Sequence, residues 1–386
     1  MCVWRNIRFR IRPLALINYT VTLQDLLSLP LEEKIGQLFV IGLPGPSLDA
    51  PSRSLLDDVK PGGVCLFARN MREARQTREL LDGVQDVLNV PPILCVDQEG
   101  GLVDRLRRII TPMPAPASIS TVEAAAKLGS IVAEALRVLG FNLNFAPVVD
   151  VVSESRAQAN NGLFSRTFGA SANEVVELAG AFLAGLQDGG CTGCLKHFPG
   201  LGASAVDSHE ELPVVELTMD EMWETDLVPY RELNQSAHAV MVAHAAYPNV
   251  HLQETDQSGK LLPSSLSYAF VTELLRNNLN FDGVVLTDDL EMGAILKNYG
   301  IGEACRRAIG AGQDMLAICA DPGRIREGYN SILDAVLAGK ISETRIDESL
   351  GRIAVFKALL QPALPFDESR LNSLSGEIEN LKADLK

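Results

Sequence analysis

Positive charge is scarce in this sequence. It holds 34 Lys and Arg against 49 Asp and Glu, a net charge of −15. Nucleic-acid binding needs clustered cations facing phosphates, so that class is excluded. Long apolar runs are missing too. None approaches the roughly 18 residues that cross a bilayer, so no membrane span is expected. Arg5, Arg8, Arg10 and Arg12 precede an apolar stretch at 13–17, as at the front of a signal peptide. That stretch is short, is broken by Asn18 and lacks a small-residue cleavage site. Residues 1–25 are therefore read as an N-terminal extension.

Metal-binding spacings are absent as well. The five histidines are His197, His209, His238, His244 and His251, with no H-x-H or H-E-x-x-H among them. This argues against a metal-dependent barrel hydrolase built on His197, His209, His244 and Asp288. The seven cysteines are an odd number, and Cys65, Cys95 and Cys319 sit inside apolar runs. That is the pattern of buried, reduced thiols, and the expected location is the cytoplasm. Cys191-Thr-Gly-Cys194 has no second pair to complete a zinc site. No metal and no cofactor are expected.

What is present is a regular alternation. Short apolar runs rich in Val, Ile, Leu and Phe occur at 40–43, 63–67, 93–97, 143–149, 193–198, 239–244, 283–287 and 315–319. Helix-like stretches follow most of them, at 71–88, 122–139, 172–187, 219–234, 265–278 and 322–337. Short buried strands alternating with helices predict a parallel sheet. Eight such units point to a closed (β/α)8 TIM barrel in a single α/β domain. An open doubly wound sheet is the alternative. It is weakened because no glycine-rich dinucleotide fingerprint follows the first strand. No repeat or composition shift divides 30–360, so the barrel is assigned to 26–362. Pro362 and Pro365 end its last helix, and 363–386 reads as a polar tail, either a surface helix or a frayed end.

In such barrels the chemistry sits where strands end. The third run ends in Asp97-Gln98-Glu99, the fourth in Asp150, the fifth in Lys196-His197, the sixth in His244 and the seventh in Asp288-Asp289. Five consecutive strands thus aim titratable groups at one rim. The loop after the fifth is small and glycine-rich, yet it carries Asp207 and His209. An Asp that accepts from an imidazole fixes its tautomer and raises its basicity, giving an acid/base near neutral pH. The competing reading is a loop with scattered polar residues. A carboxylate such as those ending the seventh run, plus a separate proton donor, is the equipment of a retaining glycosidase. It also suits a metal site.

Lys196-His197-Phe198-Pro199-Gly200 followed by Asp207-Ser208-His209 resembles the signature of glycoside hydrolase family 3. It resembles in particular the family's single-domain bacterial β-N-acetylglucosaminidases of peptidoglycan recycling. Further blocks agree in order: Asp97-Gln-Glu-Gly-Gly with Arg105, Asn144-Phe-Ala-Pro-Val-Val-Asp150, Ser165-Arg166-Thr-Phe-Gly, and Thr287-Asp288-Asp289-Leu-Glu-Met292. The resemblance implies a (β/α)8 barrel and a retaining exo-β-N-acetylglucosaminidase. It implies Asp288 as nucleophile, His209 as acid/base and Asp207 as its partner. Asp97, Arg105, Arg166, Lys196 and His197 would hold the terminal sugar. The implied substrates are muropeptides containing N-acetylglucosamine, and the implied assembly is a monomer or weak dimer.

Three positions depart from the family pattern. Leu201 stands where the family usually has His, Ala203-Ser204 where it has a polar pair, and Leu102 where it often has Arg. They bear on the aglycone side and on substrate preference. The alternatives are a family 3 β-glucosidase, a β-N-acetylglucosaminide phosphorylase and a non-catalytic sugar-binding protein. His244 is read as a supporting or packing residue, Glu99 as a structural hydrogen-bonding residue and Asp150 as the organiser of a loop.

Overall fold

The computed structural model describes residues 21–158, 162–204 and 211–385. Nine parallel strands form one sheet: β1 Phe39–Gly42, β2 Gly63–Leu66, β3 Ile93–Val96, β4 Leu143–Asn144, β5 Thr192–Gly193, β6 Leu195–Phe198, β7 Ala239–Val242, β8 Val284–Asp289 and β9 Met315–Ile318. Their order is β5-β4-β3-β2-β1-β9-β8-β7-β6. The two end strands, β5 and β6, are consecutive pieces of one wall, interrupted at Cys194. A parallel bridge between Val148 and Lys196 joins β6 to the chain leaving β4. The Val149 N–H donates to the Lys196 carbonyl at 2.8 Å across this seam. The sheet therefore curls into a nearly closed barrel with eight walls, as the eight apolar runs predict.

Each of the four-residue strands β1, β2, β3, β6, β7 and β9 is buried along its whole length. A strand covered on both faces must be almost wholly apolar, which is why these runs do not alternate with polar residues, Lys196 and His197 of β6 excepted. Helices cover the outside, and their ends follow local chemistry. The Thr121 side chain accepts from the Ala124 N–H to start Val122–Leu139, and Gly140 stops it in a left-handed conformation. Ser171 and Glu174 make a reciprocal capping box at the start of Ala172–Asp188. The stretch 219–234, read as one helix, is two short ones, Met219–Glu224 and Val228–Leu233. Thr225 between them lies outside helical geometry at φ −131° and ψ −79°.

Residues 368–384 form a helix, Glu368–Asp384, that buries Leu371, Leu374, Ile378 and Leu381. It packs on Val122–Leu139, where Arg370 forks onto Glu134 at 2.5 and 2.6 Å. The capped helix Leu23–Leu27 begins within the segment read as an N-terminal extension. Among the described residues, no helix is long and apolar enough to cross a membrane.

Candidate active site

One cavity of roughly 340 Å³ opens at the C-terminal ends of the strands. Its lining includes Asp97, Arg105, Arg166, Lys196, His197 and Asp288, six of the eight residues singled out from the sequence. The other two, Asp207 and His209, lie outside the described residues. Leu201 and Ser204, which lead into that loop, line the cavity as well.

β3 supplies the acidic side. Asp97 accepts from Lys196 Nζ at 2.7 Å, and Glu99 accepts from the same ammonium at 2.6 Å. Arg166 grips Glu99 with two parallel bonds, Nε to Oε2 at 2.8 Å and NH2 to Oε1 at 2.9 Å. Burial alone would push the Glu99 carboxyl up, but Lys196 and Arg166 outweigh it and hold it at about 2. Burial acts against the Lys196 charge, yet Asp97 and Glu99 raise its pKa. The result is a fixed web of two carboxylates and two cations. Glu99 lies wholly within it, so its carboxylate is committed to holding Lys196 and Arg166 in place.

A tight turn brings Arg105 back to the rim. Gly100 adopts φ +97°, and a Cβ there would lie 2.3 Å from the Pro114 carbonyl oxygen, so no side chain fits. Gln98 ties the returning loop down: its Oε1 accepts from the Arg105 and Leu106 N–H groups at 2.9 and 3.0 Å. Its Nε2 donates to Asp104 at 2.9 Å. Arg105 Nε is buried without a hydrogen-bond partner among the described residues. A buried guanidinium N–H without an acceptor favours a ligand that brings one.

On β6, the Lys196–His197 peptide is cis and both side chains line the cavity. His197 Nδ1 lies 2.8 Å from Asp150 Oδ2, while Asp150 Oδ1 accepts from the Leu201 N–H at 2.7 Å. One buried carboxylate thus orients the imidazole and the start of the loop that leads to Asp207. Sequence reasoning assigned Asp150 to a loop; its pairing with His197, across 47 residues, carried no local signal.

Asp288 and Asp289 end β8 in unlike surroundings. Burial pushes the Asp288 carboxyl up, but the His197 and His244 imidazoles and the Asp289 N–H, 2.8 Å from Oδ1, hold it below the ordinary aspartate value. For Asp289 burial prevails over the Glu291 N–H, and the Glu291 and Asp288 carboxylates add to it, giving about 7. Of the adjacent carboxyls, Asp288 is thereby the stronger acid. His244 is fully buried, with Nδ1 2.7 Å from Ser265 Oγ and Nε2 3.1 Å from the Asp289 carbonyl. It supports the backbone of the pair, and burial pushes its pKa down.

Sequence reasoning missed the side of the cavity formed by β2 and by the segments after β8 and β9: Cys65, Phe67, Glu291, Met292, Cys319 and Ala320. Glu291 accepts from the Ala320 and Asp321 N–H groups at 2.5 and 3.1 Å and so fixes the chain after β9. Cys191 and Cys194 are both buried free thiols, and burial pushes Cys191 up to about 12. Among the described residues, no cluster of three or more His, Cys, Asp or Glu side chains is arranged to hold a metal ion.

Comparison with known proteins agrees with this architecture. The model of the glycosyl hydrolase family 3 N-terminal domain matches residues 30–356. A β-hexosaminidase of Thiobacillus denitrificans is 34% identical over 293 residues, covering 73% of this chain and 78% of that protein. A β-hexosaminidase of Pseudomonas aeruginosa is 34% identical over 289 residues, covering 73% and 82%. A solved family 3 β-N-acetylglucosaminidase from Paenibacillus sp. superposes with a TM-score of 0.82 at 33% identity, covering 92% of this chain and 69% of that one. With the family model spanning most of its length and its barrel superposing on a solved member, this chain belongs to glycosyl hydrolase family 3.

Proposed function

We propose that this protein removes terminal β-linked N-acetylglucosamine by a retaining, two-step reaction in which Asp288 is the nucleophile. The protein is a glycosidase of the β-N-acetylhexosaminidase type, like the relatives it resembles. The observation that carries the mechanistic reading is the split between Asp288 and Asp289. A nucleophilic carboxylate must be ionised at working pH, and of this pair Asp288 ionises the more readily.

In the first step Asp288 attacks the anomeric carbon while His209 donates a proton to the leaving oxygen. In the second, neutral His209 takes a proton from water, which displaces Asp288 and restores the free enzyme. An imidazole with an ordinary pKa of about 6.5 cycles between these roles near neutrality, with Asp207 fixing its tautomer. Asp97, Arg105, Arg166, Lys196 and His197 hold the sugar through its hydroxyls and acetamido group. The web of Asp97, Glu99, Arg166 and Lys196 is built before substrate arrives, so little reorganisation accompanies reaction. The substrates in this reading are cytoplasmic muropeptides carrying N-acetylglucosamine.

The test is release of p-nitrophenol from the β-N-acetylglucosaminide and, in parallel, from the β-glucoside. A strong preference for the first is expected. Equal or reversed rates would reject the specificity, and no release of either by folded protein would reject the activity. Running both with and without phosphate separates hydrolysis from phosphorolysis, since only a phosphorylase yields the sugar phosphate.

A further inference from the structure

The cations that line the cavity are held in unlike ways. Lys196 and Arg166 rest on the carboxylates of Asp97 and Glu99. Arg105 has no carboxylate partner among the described residues, and its Nε is buried without an acceptor. Gln98 fixes the Arg105 backbone N–H and leaves the guanidinium untouched. What the guanidinium meets is an aromatic ring. Its central carbon lies 6.0 Å from the ring centroid of Phe67, which also lines the cavity.

Phe67 is itself on a rigid mount. It follows the last residue of β2, and Asn70 closes the turn after it, Oδ1 accepting from the Phe67 N–H at 2.9 Å. The Asn70 N–H donates back to the Phe67 carbonyl at 2.9 Å. Asn70 is wholly buried, and its Nδ2 donates to the Leu43 and Gly45 carbonyls at 2.9 and 2.8 Å. The turn is thereby tied to the chain leaving β1. Arg69 braces the ring, its guanidinium carbon 4.8 Å from the same centroid and its Nε donating to the Leu43 carbonyl at 3.0 Å.

We infer that Phe67 is the positioning residue of Arg105: its ring holds the guanidinium at the cavity and so sets how tightly the sugar is gripped. The inference rests on the sugar-binding role proposed above for Arg105. An aromatic ring attracts a cation through its quadrupole, most strongly where water is excluded. A carboxylate in the same place would take up guanidinium N–H groups and cancel the charge. The ring does neither. Arg105 therefore meets the sugar oxygens with its donors unspent, and Phe67 fixes it without competing for them. Leucine at this position would fill part of the space but give the guanidinium nothing to rest on. Lys196 and Arg166 would keep their carboxylates and stay in place.

The experiment is a double-mutant cycle of Phe67→Leu and Arg105→Met in the full chain. It is read as kcat/KM on p-nitrophenyl β-N-acetylglucosaminide and, separately, as urea unfolding. Phe67→Leu should lower kcat/KM by about fivefold to tenfold, as expected for a partly desolvated cation on a ring. In the Arg105→Met background the same change should cost less than about twofold. Pentafluorophenylalanine at position 67 keeps the ring's shape and reverses its quadrupole, so it should lose activity as leucine does. The inference is overturned if Phe67→Leu costs the same with and without Arg105, since the ring then only fills space. It is equally overturned if pentafluorophenylalanine leaves kcat/KM unchanged, and this variant decides should Phe67→Leu fail to fold. Should the unsubstituted protein hydrolyse nothing, the proposed activity fails and the unfolding cycle decides alone. There the two losses in folding constant should fall short of additive by about threefold, and additive losses overturn the inference.

Discussion

Replacing Glu99 with glutamine removes one negative charge from between two cations. Glu99 is 2% exposed, and both its oxygens are taken by Arg166 and Lys196. Its carboxyl is held at about 2 in the folded protein against an ordinary 4.5. A folded-state value below the unfolded one gives stability that is fully present above the unfolded value and lost as pH falls through the folded one. The difference amounts to about 3 kcal/mol. Between about pH 6 and pH 3.5, linkage assigns this one group a loss of about 1.4 kcal/mol. Glutamine does not titrate, so Glu99→Gln should lack that increment, while at pH 6 it should be less stable than wild type by about 3 kcal/mol. Urea unfolding followed by circular dichroism at both pH values measures the two differences. If wild type and variant lose equal stability between pH 6 and 3.5, or if the variant is the more stable at pH 6, the ion-pair reading of Glu99 is wrong.

Asp288→Asn should fold as wild type and lose turnover on the order of a thousandfold or more, measured with the p-nitrophenyl glycoside. His209→Ala should lose more with a sugar leaving group than with p-nitrophenol, because a poor leaving group needs the proton more; equal losses on both would count against the acid role. Lys357 is buried at the opposite end of the barrel, donating to Gln37 Oε1 at 2.8 Å and to the Pro91 carbonyl at 2.9 Å, with no carboxylate to pair with among the described residues. Burial lowers its pKa from 10.5 to about 7. The unfolded state then binds more protons between these values, so stability rises with pH across that window, by about 2–3 kcal/mol from pH 6 to pH 9. Lys357→Met should lack that rise in denaturant melts, and an unchanged slope would refute it.

The barrel is largely legible in the sequence because each wall is an apolar run bounded by turns, and buried parallel strands have no other way to be written. The helices 122–139 and 322–337 have the same bounds in the structure, since Thr121 and Asp321 start them as side-chain caps. The fifth wall reads as one strand but is two. The chain pairs with β4 at Thr192-Gly193 and with β7 from Leu195 onward, and a change of pairing partner leaves no local mark. The rim carboxylates and cations are visible as strand ends. Their partnerships are not, because Glu99 and Arg166 are 67 residues apart and Asp97 and Lys196 are 99 apart. The opposite fates of Asp288 and Asp289 depend on burial and on His197 and His244, both supplied by other strands.

The nucleophile is tested most directly by trapping it. A fluorinated N-acetylglucosaminyl substrate with a good leaving group forms the glycosyl-enzyme quickly and releases it slowly. Intact mass should show one sugar bound per chain, and peptide mapping should place it on Asp288. A label on Asp289, or complete turnover through inversion at the anomeric carbon with no trapped species, would contradict the assignment.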